Sequence, residues 1–237
     1  MIIEATNITK RFYGFTALNA VDFQLGPGER VGLIGPNGAG KSTLINCLAG
    51  TSTIDDGSIR YDGADITGVK AWRRPRMGLV RTFQIPRPFR SMTVRQNVEM
   101  PLIFILGHHD QTQVETEAEA ILAQVGLAAL SEASPRNLSQ VELRKLELGR
   151  SLAAKPRVLF TDEPMAGLSR AEADEITDLL LRLNADGVAI VLIEHIMRTV
   201  MRFSQRLVVL LAGNKIADGL PQDVIAQPEV EKSYLGQ

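Results

Sequence analysis

Gly35-Pro36-Asn37-Gly38-Ala39-Gly40-Lys41-Ser42 satisfies, at every position, the phosphate-binding pattern GxxxxGK followed by Ser or Thr. The flanking residues give the match its meaning. Arg30-Val31-Gly32-Leu33-Ile34 before it reads as a buried strand, and Lys41 through Ala49 after it reads as a helix closed by Gly50. A strand, a glycine-rich loop and a helix in that order turn successive backbone N–H groups and a helix N-terminus toward one point, where an anion would bind. Gly35, Gly38 and Gly40 let the backbone take positive φ and approach a polyphosphate. Lys41 is expected to reach the β- and γ-phosphates and Ser42 to ligate Mg2+, with Pro36, Asn37, Ala39 and Thr43 completing the nucleotide contacts.

With 237 residues the chain can form one generous α/β domain or a core with an insertion. A formal charge of −1 gives no reason to expect a nucleic-acid face. Arg73, Arg74, Arg76, Arg81, Arg87 and Arg90 do form a local basic cluster, which reads as solvated surface. The single cysteine, Cys47, excludes an intrachain disulfide, fits a reducing compartment and reads as a small buried side chain. Met1 through Thr6 lacks the basic start and apolar core of a secretory signal. The longest apolar stretches, Met100–Leu106 and Leu207–Leu211, are too short to cross a bilayer. A membrane would matter through a partner.

Taken in order, strands are expected over Ile2–Thr6 and Ala17–Leu25, with Phe12, Tyr13 and Phe15 in the connection between them. One of these aromatics could stack on a nucleobase; core packing is the competing reading. Gly57–Gly63 reads as a short strand and turn, and Gly78–Gln84 as a strand that delivers Gln84 to a loop. Ile85-Pro86-Arg87-Pro88-Phe89-Arg90 cannot continue regular structure and reads as a hinge. Helices follow over Thr93–Glu99, Thr116–Val125 and Ser139–Ala154. Arg157–Glu163 is an apolar strand ending in two carboxylates, and beside a phosphate loop such a pair has an evident use: Asp162 on Mg2+ and Glu163 taking a proton from an attacking water. A helix over Arg170–Asn184, a strand over Val188–Ile193 ahead of Glu194-His195, a strand over Leu207–Leu211 and a last helix after Pro221 complete the alternation, which argues for a covered, largely parallel sheet.

Together these motifs resemble the nucleotide-binding subunit of ATP-binding cassette transporters over nearly the whole chain. The long interval between Lys41 and Asp162 leaves room for the helical insertion that this family places there. The resemblance implies an α/β fold, with a P-loop NTPase core on a mostly parallel sheet, an N-terminal antiparallel β subdomain and an inserted α-helical subdomain. Residues 1–237 would be one ATPase domain, with 1–85 and 155–237 as core and 86–154 as insertion. It also implies roles. Gln84 would sense Mg2+ and the attacking water, Asp162 would hold Mg2+, Glu163 would be the general base and His195 would contact the γ-phosphate. Phe12, or Tyr13 in its place, would stack on adenine.

Leu138-Ser139-Gln140-Val141-Glu142 stands where the family has Leu-Ser-Gly-Gly-Gln, a helix start that presents its serine to the γ-phosphate held by the opposite subunit. Ser139 would make that contact; Val141 and Glu142 oppose it with a branched side chain and a negative charge. Ser169 also replaces a frequent aspartate. Arg81-Thr82-Phe83-Gln84, Ala166-Gly167-Leu168, Glu194-His195-Ile196-Met197 and the close from Ala217 to Gly236 most resemble the ATPases of branched-chain amino-acid uptake systems. The expected protein is a Mg2+-dependent ATPase subunit of an importer for such amino acids or related small carboxylates and amides. It would lie on the cytoplasmic face of the membrane with a second ATPase subunit, in a heterodimer or homodimer, on transmembrane permeases served by an extracytoplasmic binding protein. Residues 85–100 would form the docking surface. The alternative is a non-transport cassette ATPase that works as a nucleotide-gated interaction module.

Overall fold

The computed structural model describes residues 1–235, so Gly236, the end of the terminal match, lies outside the described residues. Strands β1 (Ile3–Phe12), β2 (Phe15–Leu25), β4 (Asp56–Tyr61) and β5 (Ala64–Asp65) form an antiparallel sheet in the order β2-β1-β4-β5. A second sheet runs β10-β9-β3-β8-β7-β6, built from β3 (Arg30–Ile34), β6 (Leu79–Arg81), β7 (Val158–Asp162), β8 (Ala189–Ile193), β9 (Arg206–Leu211) and β10 (Asn214–Gly219). All its pairs are parallel except β9 with β10.

The inner strands β3, β7, β8 and β9 are mostly apolar because both faces are covered, and the alternation of side chains assigns their apolar residues to separate cores. Val158 and Phe160, with Val191 and Ile193, join Val31 and Leu33 in a core shared with the antiparallel sheet and with helix α1 (Lys41–Leu48). Leu159, Ile190 and Leu192 face the other way, against α5 (Arg170–Ala185) and the helices α2 (Val94–Phe104), α3 (Gln111–Gln124) and α4 (Gln140–Ala153) that lie between β6 and β7. The inserted helices therefore continue the core of the sheet rather than enclosing one of their own. Helix α6 (Met197–Phe203) follows β8, and the short α7 (Pro221–Ile225) and α8 (Pro228–Leu235) replace the single terminal helix expected after Pro221.

Several bounds differ from the sequence reading for local reasons. β1 runs on to Phe12 and β2 begins at Phe15, because Tyr13 and Gly14 both take positive φ (46° and 88°) and close a two-residue hairpin. β6 stops at Arg81, so Gln84 stands past the strand end; only the Thr82 N–H still pairs, with the Phe160 carbonyl at 2.9 Å. α2 passes through Pro101 to Phe104: the proline forfeits one backbone bond, and burial of Val98 and Leu102 on one face holds the helix through it. α3 starts at Gln111 instead of Thr116, since Asp110 accepts hydrogen bonds from the N–H groups of Thr112 and Gln113.

The basic cluster is only partly a solvated surface. Arg74 is 2% exposed. Its guanidinium donates to the carbonyls of Val69 (3.2 Å), Cys47 (3.1 Å), Leu48 (2.5 Å) and Ile66 (2.9 Å), so it satisfies the carbonyl end of α1 and ties it to the approach to β6. Gly50 takes φ +74° beside it, and a Cβ there would lie 2.4 Å from the Arg74 Nε. Cys47 is buried in the same helix, its thiol pushed up to about 11 mainly by burial. Arg74→Met takes a donor from four carbonyls, of which those of Cys47 and Ile66 keep a backbone N–H partner, and should cost about 3 kcal/mol in urea unfolding. Arg74→Lys should not restore stability, since one ammonium cannot span the fork.

Candidate functional site

Parallel pairing sets Leu33 beside Ile193 and Asp162 beside Ile193, so β3, β7 and β8 release their loops at one level of the sheet. Open α/β sheets bind ligands at such carboxyl ends. The loop from Gly35 to Ser42 leaves β3 and turns into α1, whose N-cap Gly40 has φ +104°. A Cβ on Gly35 would lie 2.1 Å from the Leu210 carbonyl oxygen, whereas one on Gly38 would meet nothing within 4 Å. The loop is thus closed against the protein at its root and open at its tip, as a cradle for a polyphosphate requires.

Lys41 Nζ donates to the carbonyls of Gly35 (2.6 Å) and Pro36 (3.0 Å), spanning the mouth of its own loop. Burial pulls its ammonium below the usual lysine range, opposed by the charges of Glu163 and Asp162. Those carbonyls hold the lysine where phosphate oxygens could replace them. Ser42 Oγ donates to Asp162 Oδ1 at 3.4 Å. Asp162 is buried at the end of β7, and desolvation raises its carboxyl above the ordinary range despite Ser42 and Arg81, whose Nη2 lies 3.3 Å from Oδ2. Among the described residues no group of three or more acidic, His or Cys side chains forms a metal cage. A serine and one buried carboxylate suit Mg2+, which takes the rest of its oxygens from phosphates and water.

Glu163 follows β7 with φ +48°, its N–H bonded to the Ile193 carbonyl at 3.0 Å. This left-handed residue re-aims the chain, and its carboxylate meets the two side chains the sequence grouped with it. Gln84 Nε2 donates to Glu163 Oε2 at 2.9 Å, and His195 Nδ1 stands 3.9 Å from Oε1. Phe12, Phe15, Gln84 and Glu163 line one cleft with residues 37–43. Tyr13 is fully exposed at the hairpin tip and outside that lining, whereas Phe15 is inside it. Ser139, the N-cap of α4, is also outside the cleft of its own chain.

A family model described as ABC transporter matches residues 18–166. The chain belongs to the ABC transporter family. It is 36% identical over 250 residues to the high-affinity branched-chain amino acid transport ATP-binding protein BraF of Pseudomonas aeruginosa, covering 100% of this chain and 98% of the relative. It is 34% identical over 256 residues to the corresponding LivG of Escherichia coli strain K12, with the same coverage of both chains. Among solved structures, the ADP conformation of an ATP-binding cassette of an ABC transporter matches with a TM-score of 0.88 and 31% identity, over 100% of this chain and 99% of that one. A dimeric bacterial ABC transporter cassette matches with a TM-score of 0.85 and 26% identity over 92% and 98%. This ABC chain is therefore an ATPase that binds nucleotide, with an α/β fold of one antiparallel and one mostly parallel sheet.

Residues to which the sequence reading gave no role surround the site. Arg81 pairs with Asp162 and with Asn46 on α1. On α4, Glu147 Oε1 accepts the Phe83 N–H at 2.5 Å, Arg144 donates to the Gln84 carbonyl, and Arg150 donates to the Arg87 carbonyl at 2.7 Å. The fully buried Asn97 on α2 bonds both the N–H (2.7 Å) and the carbonyl (3.0 Å) of Phe89. The segment expected to be a hinge is thus strapped by side chains. The signal for this was in α4, where charges interrupt an apolar face at Arg144 and Glu147 beside Leu146 and Leu148.

Burial raises the Glu147 carboxyl above its ordinary value of 4.5, opposed by the Phe83 N–H and the charges of Arg144, Arg150 and Arg81. Between that value and the raised one the unfolded chain binds fewer protons than the folded chain, so stability falls as pH rises through the window. Glu147→Gln keeps an oxygen for Phe83 and removes the titration. Thermal melts should show the variant gaining on wild type as pH rises from the lower edge of the window to above it; a pH-independent difference would contradict this account.

Proposed function

We propose that this ATPase is the energy-coupling subunit of an importer for branched-chain amino acids or related small carboxylates and amides. The observation that carries the reading is full-length similarity to the BraF and LivG proteins, whose names give that transport role. The geometry supports the ATPase half: Glu163 lies between Gln84, which donates to it, and His195, 3.9 Å away, at the open end of the phosphate loop. Lys41 and the loop N–H groups would hold the phosphates, Glu163 would orient and deprotonate the water, His195 would contact the γ-phosphate and Gln84 would sense both. Mg2+ bound by Ser42 and Asp162, with Gln84 nearby, would neutralise phosphate charge.

The protein would sit on the inner face of the cell membrane, bound to permease subunits that receive cargo from an extracytoplasmic binding protein. None of the described helices is long and apolar enough to cross a membrane. Exposed Phe83, Ile85 and Phe89 beside the inserted helices offer the permease an apolar surface within or next to residues 85–100. In this arrangement residues 86–154 form the part that meets the permease, and residues 1–85 and 155–237 the part that holds ATP.

Dimeric cassettes of this fold are known, and we place a second, different ATPase subunit opposite this one. In this chain Glu142 Oε2 accepts from the Ser139 N–H (2.7 Å) and from Ser139 Oγ (2.8 Å), closing a capping box on α4. A carboxylate therefore already occupies the helix N-terminus that would face the partner's ATP. The site built on Lys41 with the partner's signature would turn over, and the other would mostly hold ATP.

Two measurements test the reading. Phe12→Ala and Phe15→Ala should each weaken ATP binding if they flank adenine, by about 1–3 kcal/mol for the stacking residue, while Tyr13→Ala leaves the dissociation constant within about twofold. In the assembled transporter Glu163→Gln should abolish steady-state hydrolysis, and the matching substitution in the partner should leave much of it. Loss only on replacing the partner's base would refute the unequal-site reading.

A further inference from the structure

Arg144 and Glu194 take no part in the chemistry above, yet both are buried charges whose hydrogen bonds go to the loops that carry it. Glu194 is 1% exposed. One carboxylate oxygen accepts the Met165 N–H at 3.1 Å, and the other accepts the N–H groups of His195 (3.1 Å) and Ile196 (3.4 Å). Arg144 donates through one nitrogen to the Gln84 carbonyl and through the other to the Ala166 carbonyl at 3.3 Å. Ala166 in turn donates its N–H to the Glu163 carbonyl at 3.1 Å. The chain of contacts therefore runs from the loop of Gln84, through Arg144, to the turn after Glu163, and from that turn, through Glu194, to the loop of His195.

Each of these hydrogen bonds is made to backbone; the one side-chain approach is that of His195 Nδ1, 3.8 Å from the Glu194 carboxylate. What the bonds fix is the relative placement of the loops that carry Gln84, Glu163 and His195. Burying a carboxylate costs several kcal/mol unless its lone pairs are well satisfied, so packing alone would favour an apolar residue at position 194. Instead the carboxyl is kept, and it spends three bonds on two loops. Arg144 repeats the pattern from the opposite side: it sits on α4, the fields of Glu147 and Glu194 reach it, and both its bonds end on loops that carry reactive residues.

We propose that Arg144 and Glu194 are positioning residues for ATP hydrolysis, locking the loops of Gln84, Glu163 and His195 into one arrangement and attaching it to α4, so that a shift of α4 moves all three together. The proposal rests on the reading of those three residues as the hydrolytic group. It gives the inserted helices a route to the reacting centre that does not pass through the phosphate loop.

Hydrogen exchange, ATP affinity and turnover of the protein in its assembled transporter test it together, in wild type, Glu194→Ala, Glu194→Gln and Arg144→Met. Exchange should accelerate over residues 163–168 and 194–197 in Glu194→Ala, and over 83–86 and 163–168 in Arg144→Met, while 35–42 stays as in wild type. The ATP dissociation constant should change by less than about twofold and kcat should fall by about 100-fold, the cost of misplacing reacting groups by an ångström. Glu194→Gln retains acceptor oxygen and should lie between. Arg144→Met combined with Glu194→Gln should cost less than the product of the single effects, because both act on one arrangement. Should Glu194→Ala not fold, the same readouts on Glu194→Gln and Arg144→Met decide. Wild-type turnover with accelerated exchange would overturn the proposal, as would unchanged exchange or a parallel loss of affinity. Turnover that survives Glu163→Gln would instead overturn the reading of the hydrolytic group, a result separable from the exchange data.

Discussion

Hydrogen bonding between parallel strands buried on both faces brings Leu33, Ile193 and Asp162 to one level of the sheet. A strand in such a sheet can place a charged group only where it ends, because every interior position meets a core; Thr161, inside β7, is tolerated because its hydroxyl bonds the Val191 carbonyl. The phosphate loop, the Asp162-Glu163 pair and Glu194-His195 therefore come last in their strands, and pairing aligns those ends within reach of one another. Arg81 belongs to the same rule: β6 is the shortest strand of this sheet, and its final residue turns to Asp162.

The constraint leaves a second problem, since loops that depart from the sheet have no ladder to hold them. Long side chains on the neighbouring helices supply the missing partners. Glu147, Arg144 and Arg150 are spaced along α4 so that they meet the chain at Phe83, Gln84 and Arg87, and Asn97 on α2 takes Phe89. Two prolines, Pro86 and Pro88, keep this segment out of regular structure and strip it of backbone donors. The result is a loop without secondary structure whose course is still determined. Its course is tied to that of the helices, as the role proposed above for this segment, between permease and ATP site, requires.

Much of this was legible in the residues. GxxxxGKS between an apolar run and a helical one gave the loop, and two acids at a strand end gave the site its other wall, because those patterns are local. The convergence of Gln84, Glu163 and His195 was legible only by resemblance, since it depends on strand order. Phe12 was a reasonable choice among three aromatics, but the two-residue turn that puts Tyr13 at the tip and admits Phe15 to the cleft hangs on positive φ at a tyrosine, which no propensity suggests. Arg74 and Arg81 were misread because a charge cluster in sequence says nothing about which members find buried carbonyls or carboxylates. Glu194 stood beside His195 in plain view, and its value depends on Met165, which is close only in the fold.

The start of α4 shows how one feature can serve the fold and restrict function. α2, α4 and α5 all open with a capping box, formed by Thr93 with Gln96, Ser139 with Glu142 and Ser169 with Glu172. In each the N3 side chain returns to the cap and satisfies donors that would otherwise need water. At α4, in the dimer proposed above, a phosphate held by the other subunit would need the same N–H groups and the same hydroxyl, and it would approach a carboxylate already there. Two like charges at about 4 Å repel by about 1–4 kcal/mol between water-like and surface dielectrics. A neutral Gln at position 142 could cap without that repulsion, and a glycine at position 141 would let the phosphate closer. In that dimer the interaction that stabilises this helix in one subunit would oppose its use by the other, and the energy difference would fall on one of the two sites alone.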